Sequence, residues 1–379
     1  MKKIFYWSPY LSNVATIRNV IDSAFSLAKY SKGSYKPYII DAIGEWANKN
    51  NGILEKNLGY IKLSNFKLDL PISGFFKSRA ISVFIFFLSI VPLFHLLKKE
   101  KPSYLIMHLL TSIPLTLLML FNFKTKFILR ISGLPRLNFF RKFLWKIVGK
   151  KLFLVTCPTN ETLDNIIKTK IFEEGKVVLL PDPIINVAEI LNKNKKNIQD
   201  KNLKKKYFLN IGRLTKQKNQ QLLIKLFSKL NIVNENYYLY IIGEGEEKET
   251  LQKQINDLSL QDRIFLLGHQ NNVFPYISLS RAIISTSLWE DPGAVMIEAA
   301  FCNKTVISSD CISGPKEFLM NNKAGYLFKN GNLESIFETF KDYVKEKPEK
   351  IYEKKILAKK NSRKYSLFSH FIFLKNFLT

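Results

Sequence analysis

Glu290 and Glu298 are two carboxylates eight residues apart in the stretch SLWEDPGAVMIEAA, residues 287–300, and Pro292 with Gly293 breaks the chain between them. The break reads as a turn running into a helix start, with Pro at the first helical position. Residues 294–301 then read as a buried helix, which puts Glu290 on the loop beside the helix N-terminus and Glu298 nearly two turns further on. An acid inside so apolar a run is costly unless it meets a partner. A nearby Lys or Arg in a structural ion pair would supply one. Earlier in the chain stands Gly212-Arg213-Leu214-Thr215-Lys216-Gln217-Lys218-Asn219. An Arg fork and a Lys point charge in a loop entering a helix compensate clustered negative charge such as a diphosphate, and Gly212 allows the backbone to come close.

These residues need elements to hold them, and the chain supplies two successive strand–helix series. Apolar runs at residues 3–7, 35–42, 104–108, 126–131, 152–156 and 177–180 read as the strands of a first sheet. Those at 207–211, 237–242, 263–267, 282–285, 305–308 and 325–328 read as the strands of a second. Strands of this length alternating with helices argue for parallel sheets of the doubly wound kind. His108 ends one expected strand, where open sheets place ligand-contacting groups; the alternative is a satisfied core histidine. Pro181-Asp182-Pro183 reads as the interdomain linker, and residues 192–206 as an exposed, Lys-rich loop. The expected domains are 1–181, 182–360 and a helical tail, 361–379, that returns to the first domain.

Taken together, the paired glutamates and the Gly-Arg-Leu…Lys-Asn string resemble the retaining glycosyltransferases of the two-domain GT-B fold, family 4 (glycosyl transferases group 1), of the bacterial cell-envelope polysaccharide type. The resemblance covers the C-terminal half strongly and the N-terminal half more loosely. It implies an α/β fold of two Rossmann-like domains facing each other across a cleft. It also implies transfer of a glycosyl group from a nucleotide-diphosphate sugar to an acceptor hydroxyl on a cell-envelope glycan or glycolipid, with retained configuration and without a metal. UDP-sugars are favoured over GDP-sugars. In this reading Arg213 and Lys218 face the diphosphate, Glu290 holds the donor sugar, and Glu298 accepts from the ribose. Gly212, Gly293, Ala294 and Val295 offer backbone, and Glu317 lies near the ribose or base unless it is simply a first-turn acid of its helix. His108 resembles the family's histidine beside the donor sugar. The first loop is Gly-rich in the family and has no glycine here; Ser12 and Asn13 replace it. Where relatives often carry Gly-Phe-Gly after the first glutamate, this chain has Asp291-Pro292-Gly293.

The totals narrow the alternatives. A chain of 379 residues has room for two domains. Its net charge of +27 arises from 58 Lys and Arg against 31 Asp and Glu. Such an excess reads either as a compositional bias decorating every solvated face or as attraction to a polyanion. Nucleic acid would call for stacking platforms or a known binding module, and none is seen. A GT-B epimerase or phosphorylase stays open as a second enzymatic reading. The three cysteines show no metal-like pairing and suit a reducing compartment. No metal-ligand motif is present, and no organic cofactor is expected beyond the donor. The N-terminus does not read as a signal peptide. Residues 136–151, RLNFFRKFLWKIVGKK, interleave six basic residues with aromatic and aliphatic ones. They read as a helix lying on an anionic membrane surface or as a packed helix with a basic outer face. Residues 80–97 form an uncharged run of 18. It touches the length of a membrane span, but Pro92 and the strand–helix pattern around it favour a helix packed in the core or lying in the interface. The enzyme is therefore expected to be cytoplasmic and peripheral on the inner leaflet; the sequence does not speak to its oligomeric state.

Overall fold

The computed structural model describes residues 1–11, 15–66, 75–135, 137–195, 207–232 and 237–378. The chain forms two compact units, the first comprising 1–183 with 367–379 and the second 184–366. In the first, strands β1 (Lys2–Trp7), β2 (Tyr35–Asp41), β3 (Gly59–Lys62), β4 (Tyr104–Met107), β5 (Lys126–Arg130), β6 (Leu154–Cys157) and β7 (Val177–Leu179) form one sheet. Its order is β3-β2-β1-β4-β5-β6-β7 and every pairing is parallel. Strands buried on both faces read as unbroken apolar runs. In β1, Phe5 and Trp7 enter the core on one face while Ile4 and Tyr6 enter the core on the other.

The second unit repeats the plan. Strands β8 (Tyr207–Ile211), β9 (Tyr238–Ile242), β10 (Ile264–Leu266), β11 (Ala282–Ser285), β12 (Thr305–Ser309) and β13 (Tyr326–Phe328) pair in the order β10-β9-β8-β11-β12-β13, all parallel. In both sheets the order reverses beside the first strand: between β1 and β4, and between β8 and β11. Open α/β sheets bind ligands at such switch points, outside the carboxyl ends of the strands.

The tail belongs with the first unit. Its last helix, Leu367–Phe377, packs on the helix Ala15–Tyr30, with the Tyr30 and Phe368 rings 5.2 Å apart. Buried His370 joins Ser23 at 2.8 Å and the Pro181 carbonyl at 2.6 Å, and Ser23 meets the Tyr6 hydroxyl at 3.0 Å. Arg130 adds a buried ion pair to Asp182 and donates to the Leu180 carbonyl at 2.6 Å.

Several expectations need correction. β3 has no counterpart in the sequence reading; at the sheet edge three of its residues are half-buried and Lys62 is exposed, so no apolar run announces it. Pro292 is not the first helical residue: the helix is Ala294–Phe301 and Gly293 caps it. Residues 192–194 are helical, the end of Val187–Asn194, because Asn186 caps that helix by accepting from Glu189 N–H; 196–206 lie outside the described residues. The run at 80–97 lies in the helix Phe75–Glu100, which continues through Pro92. Core packing accounts for one side of it only. Ile85, Ser89, Leu93 and Leu97 form one buried stripe at four-residue steps, and only 22% of the apolar window is buried. It is long and apolar enough to cross a membrane, yet it joins β3 to β4 within one sheet.

Candidate active site

The second unit gathers three loops at the carboxyl ends of β8, β11 and β12. The loop after β8 is laced to the loop after β11. Leu288 N–H donates to the Gln217 carbonyl at 2.8 Å, Gln217 Nε2 to the Trp289 carbonyl at 2.9 Å, and the Thr286 hydroxyl to the Lys218 carbonyl at 3.0 Å. The loop after β12 closes on the same segment. Ser309 donates to the Ser287 carbonyl at 2.5 Å and Glu290 N–H to the Ile312 carbonyl at 3.3 Å. At Gly314 a Cβ would run into the Pro292 carbonyl.

Within this frame Lys218 Nζ meets Glu290 Oε1 at 2.5 Å, and the Ser287 hydroxyl donates to the same oxygen at 2.6 Å. Both side chains are largely withdrawn from solvent, 20% and 12% exposed. The stem of Lys218 passes over Gly212, where a Cβ would stand 3.3 Å from Cε. Arg213 stands exposed beside them, its carbonyl held by Gln220 Nε2 at 3.1 Å. Among the described residues its guanidinium takes no hydrogen-bond or ion-pair partner. Gly293 adopts φ +90°, a left-handed conformation that other residues resist, and caps the helix Ala294–Phe301 without a side-chain acceptor. The first-turn amides of Ala294 and Val295 are thereby left for a ligand at that end. Glu298 sits inside this helix, 5% exposed.

The remaining expected site residues fall elsewhere. Glu317, in the short helix Pro315–Phe318 that follows Gly314, makes an ion pair with Lys364 at 3.5 Å. His108 lies in the first unit just past β4, 8% exposed and stacked on Tyr6 with ring centroids 6.1 Å apart. It is not a satisfied core histidine: neither ring nitrogen has a hydrogen-bond partner among the described residues. Burial, then the Arg130 charge behind it, holds its pKa well below the ordinary value, so the ring is neutral near pH 7. Ser12 and Asn13 lie outside the described residues. Also among the described residues, no group of three or more His, Cys, Asp and Glu side chains is placed to share a metal ion.

Sequence reasoning missed a polar cluster at the carboxyl end of β2. Glu45 accepts from Ala42 and Ile43 N–H at 3.1 and 2.8 Å, and Tyr60 donates to Asp41. Burial, then the neighbouring Asp41, pushes the Glu45 carboxyl well up. The signal was the strand end itself, where an Asp and a Glu four residues apart close an apolar run.

Residues 192–364 match the family model of glycosyl transferases group 1. An uncharacterized glycosyltransferase of Methanocaldococcus jannaschii is 41% identical over 160 residues, 40% of this chain and 39% of that protein. The N-acetylgalactosamine-N,N'-diacetylbacillosaminyl-diphospho-undecaprenol 4-alpha-N-acetylgalactosaminyltransferase of Campylobacter jejuni is 27% identical over 245 residues, 62% of this chain and 65% of that protein. The chain thus matches less than two thirds of the length of either relative. The crystal structure of Anabaena HepE in complex with UDP-glucose superposes with a TM-score of 0.71 at 13% identity, covering 99% of each chain. That likeness establishes the fold: two parallel-sheet α/β units of the GT-B glycosyltransferase type.

Proposed function

We propose, from the premise that the second unit carries a group 1 glycosyl transferase domain, that this chain is a retaining, family 4-type glycosyltransferase. It would move a hexose-type sugar from a nucleotide diphosphate, UDP before GDP, to a hydroxyl of a lipopolysaccharide, capsule or lipid-linked glycan. One observation carries the reading. The sequence-distant Lys218 and Glu290 meet at 2.5 Å at the β8/β11 switch point, with Arg213 and the helix that Gly293 caps without a side chain on the same loops. UDP-glucose in the HepE structure and the lipid-linked glycan in the Campylobacter enzyme's name support the donor and acceptor classes.

The chemistry follows from the charges. As the bond from the anomeric carbon to the diphosphate oxygen breaks, negative charge grows on the leaving group. Arg213 and Lys218 are preorganised to stabilise it. The acceptor oxygen bonds to the same face of the anomeric carbon, and its proton passes to the leaving phosphate. Glu290 holds sugar hydroxyls, Glu298 the ribose, and the amides of Ala294 and Val295 the diphosphate or sugar. In the first unit, His108, a neutral ring with two open nitrogens, takes the role beside the donor sugar. Charge compensation by side chains makes the transfer metal-independent. The basic and aromatic side chains of the helix Phe139–Val148 support docking on an anionic leaflet, where a lipid-linked acceptor would reside.

The test is steady-state transfer from a panel of nucleotide sugars, with and without chelator. Arg213→Ala and Lys218→Ala should lose kcat, roughly 10²–10³-fold per charge, and chelator should change little. Wild-type rates in both variants would remove the assignment, and abolition by chelator would replace it with a metal-assisted one. Turnover of the nucleotide sugar without any acceptor would favour an epimerase or phosphorylase.

A further inference from the structure

The first unit exposes far more aromatic surface than a solvated helical layer requires. On the helix Phe75–Glu100, Val83, Phe84, Phe87 and Val91 are 56%, 44%, 71% and 57% exposed. On the helix Phe139–Val148, Phe139, Phe140 and Phe143 are 76%, 80% and 58% exposed. The two helices lie on one face of the sheet. Their buried residues enter the same core, and the helix Ser112–Leu120 between them enters it too. The intervening surface is apolar as well: Phe121, just past that middle helix, is 41% exposed and stands 4.6 Å from Phe94. Scattered apolar side chains need no explanation, but rows of exposed rings on neighbouring helices of one face mark a binding surface.

Charge decides what binds there. The helix Phe139–Val148 carries exposed Arg141, Lys142 and Lys146 and no acid. The helix Phe75–Glu100 has its bases at its ends, Arg79, Lys98 and Lys99, and its one acid, Glu100, is taken by Lys3 at 2.8 Å. A second copy of this chain, meeting the patch through a two-fold axis, would set these bases against themselves. An anionic lipid leaflet accepts both halves: rings enter the acyl boundary while Lys and Arg stems reach the headgroups. The helix cannot cross the bilayer, because the Ile85–Leu97 stripe fixes it lengthwise against the sheet.

We infer that the helix Phe75–Glu100 is an in-plane membrane helix. Together with Phe139–Val148 it forms a two-helix docking face, the first giving apolar depth and the second charge selectivity. The inference deepens the membrane part of the functional reading and rests on it, but it needs nothing of the donor site.

Flotation of the full chain with vesicles of phosphatidylcholine, with and without phosphatidylglycerol, tests it. The wild type should float with the anionic vesicles. Arg141→Gln/Lys142→Gln/Lys146→Gln should bind about 100-fold more weakly, at about 1 kcal/mol per basic residue. Phe84→Ser/Phe87→Ser/Val91→Ser removes only exposed side chains and should abolish flotation while leaving nucleotide binding intact. In the Phe87→Trp variant the indole emission should shift to the blue on anionic vesicles. Flotation of the Ser variant at the wild-type level, or an emission unmoved by vesicles in Phe87→Trp, would overturn the role of this helix. A dimer in light scattering that the Ser variant dissolves, without flotation, would assign the face to a second copy instead. Flotation as expected in a protein that binds no nucleotide sugar would leave this inference standing and remove the glycosyltransferase reading.

Discussion

Lys218 carries one of the two positive charges assigned to the diphosphate, and its ammonium rests on Glu290 at 2.5 Å. Removing it therefore does two things. Lys218→Ala strands a carboxylate that is 12% exposed, at about 1–3 kcal/mol of stability, and it removes transition-state charge. Adding Glu290→Gln should restore most of the stability in chemical denaturation but none of the transfer rate. Arg213 is exposed and makes no such pair among the described residues, so Arg213→Ala should unfold within about 0.5 kcal/mol of the wild type while kcat falls roughly 10²–10³-fold. Equal stability losses in both variants would mean that the loop, not the charge, is what matters. In the proposed role Glu298 would hold the ribose, a part of the donor that does not change during reaction. Glu298→Gln should raise KM more than it lowers kcat, whereas a structural ion pair there predicts a lower melting temperature and unchanged nucleotide affinity. Gly293 holds φ +90°; Gly293→Ala should cost about 1–2 kcal/mol in denaturation for the left-handed conformation alone.

At the scale of elements, the strands of both sheets were legible because buried parallel strands are unbroken apolar runs. Tyr207–Ile211 and Ala282–Ser285 fall where the sequence puts them to the residue. β3 was illegible because an edge strand of Gly59, Tyr60, Ile61 and Lys62 carries no such run. The outward face of Phe75–Glu100 was illegible for the opposite reason: apolar on all sides, it has no periodicity to say which stripe meets the sheet. The pairing of Glu290 with Lys218 could not be read either, since strand order, not sequence distance, brings their loops together. The returning C-terminal helix brings a testable titration. His370 is buried, and burial lowers its pKa from 6.5 to about 3. Its folded pKa is depressed, so its contribution is complete above the unfolded pKa of about 6.5 and is lost as pH falls through the window toward 3. Stability should fall by about 1.4 kcal/mol per pH unit below that value, and His108 should act in the same direction. His370→Gln should flatten the fall in melting temperature between neutral and mildly acid pH. An unchanged slope would show that His370 does not stay neutral in the fold.

For the molecule as a whole, two doubly wound sheets repeat one strategy: each reverses its strand order beside its first strand and sets polar side chains at that point. In the second unit the loops at that point carry Arg213 and the Lys218–Glu290 pair; in the first, His108 follows the end of β4. The central claim is that the second unit's switch point binds a nucleoside diphosphate through those charges. Calorimetric titration of UDP into the wild type, Arg213→Ala and Glu298→Gln tests it most directly, because binding needs no acceptor and no knowledge of the sugar. The account predicts saturable binding to the wild type with chelator present, and weakening of about tenfold or more in each variant, a loss of about 1.4 kcal/mol or more. Equal affinity for UDP in all three proteins, or binding by none of them to any nucleoside diphosphate, would contradict it.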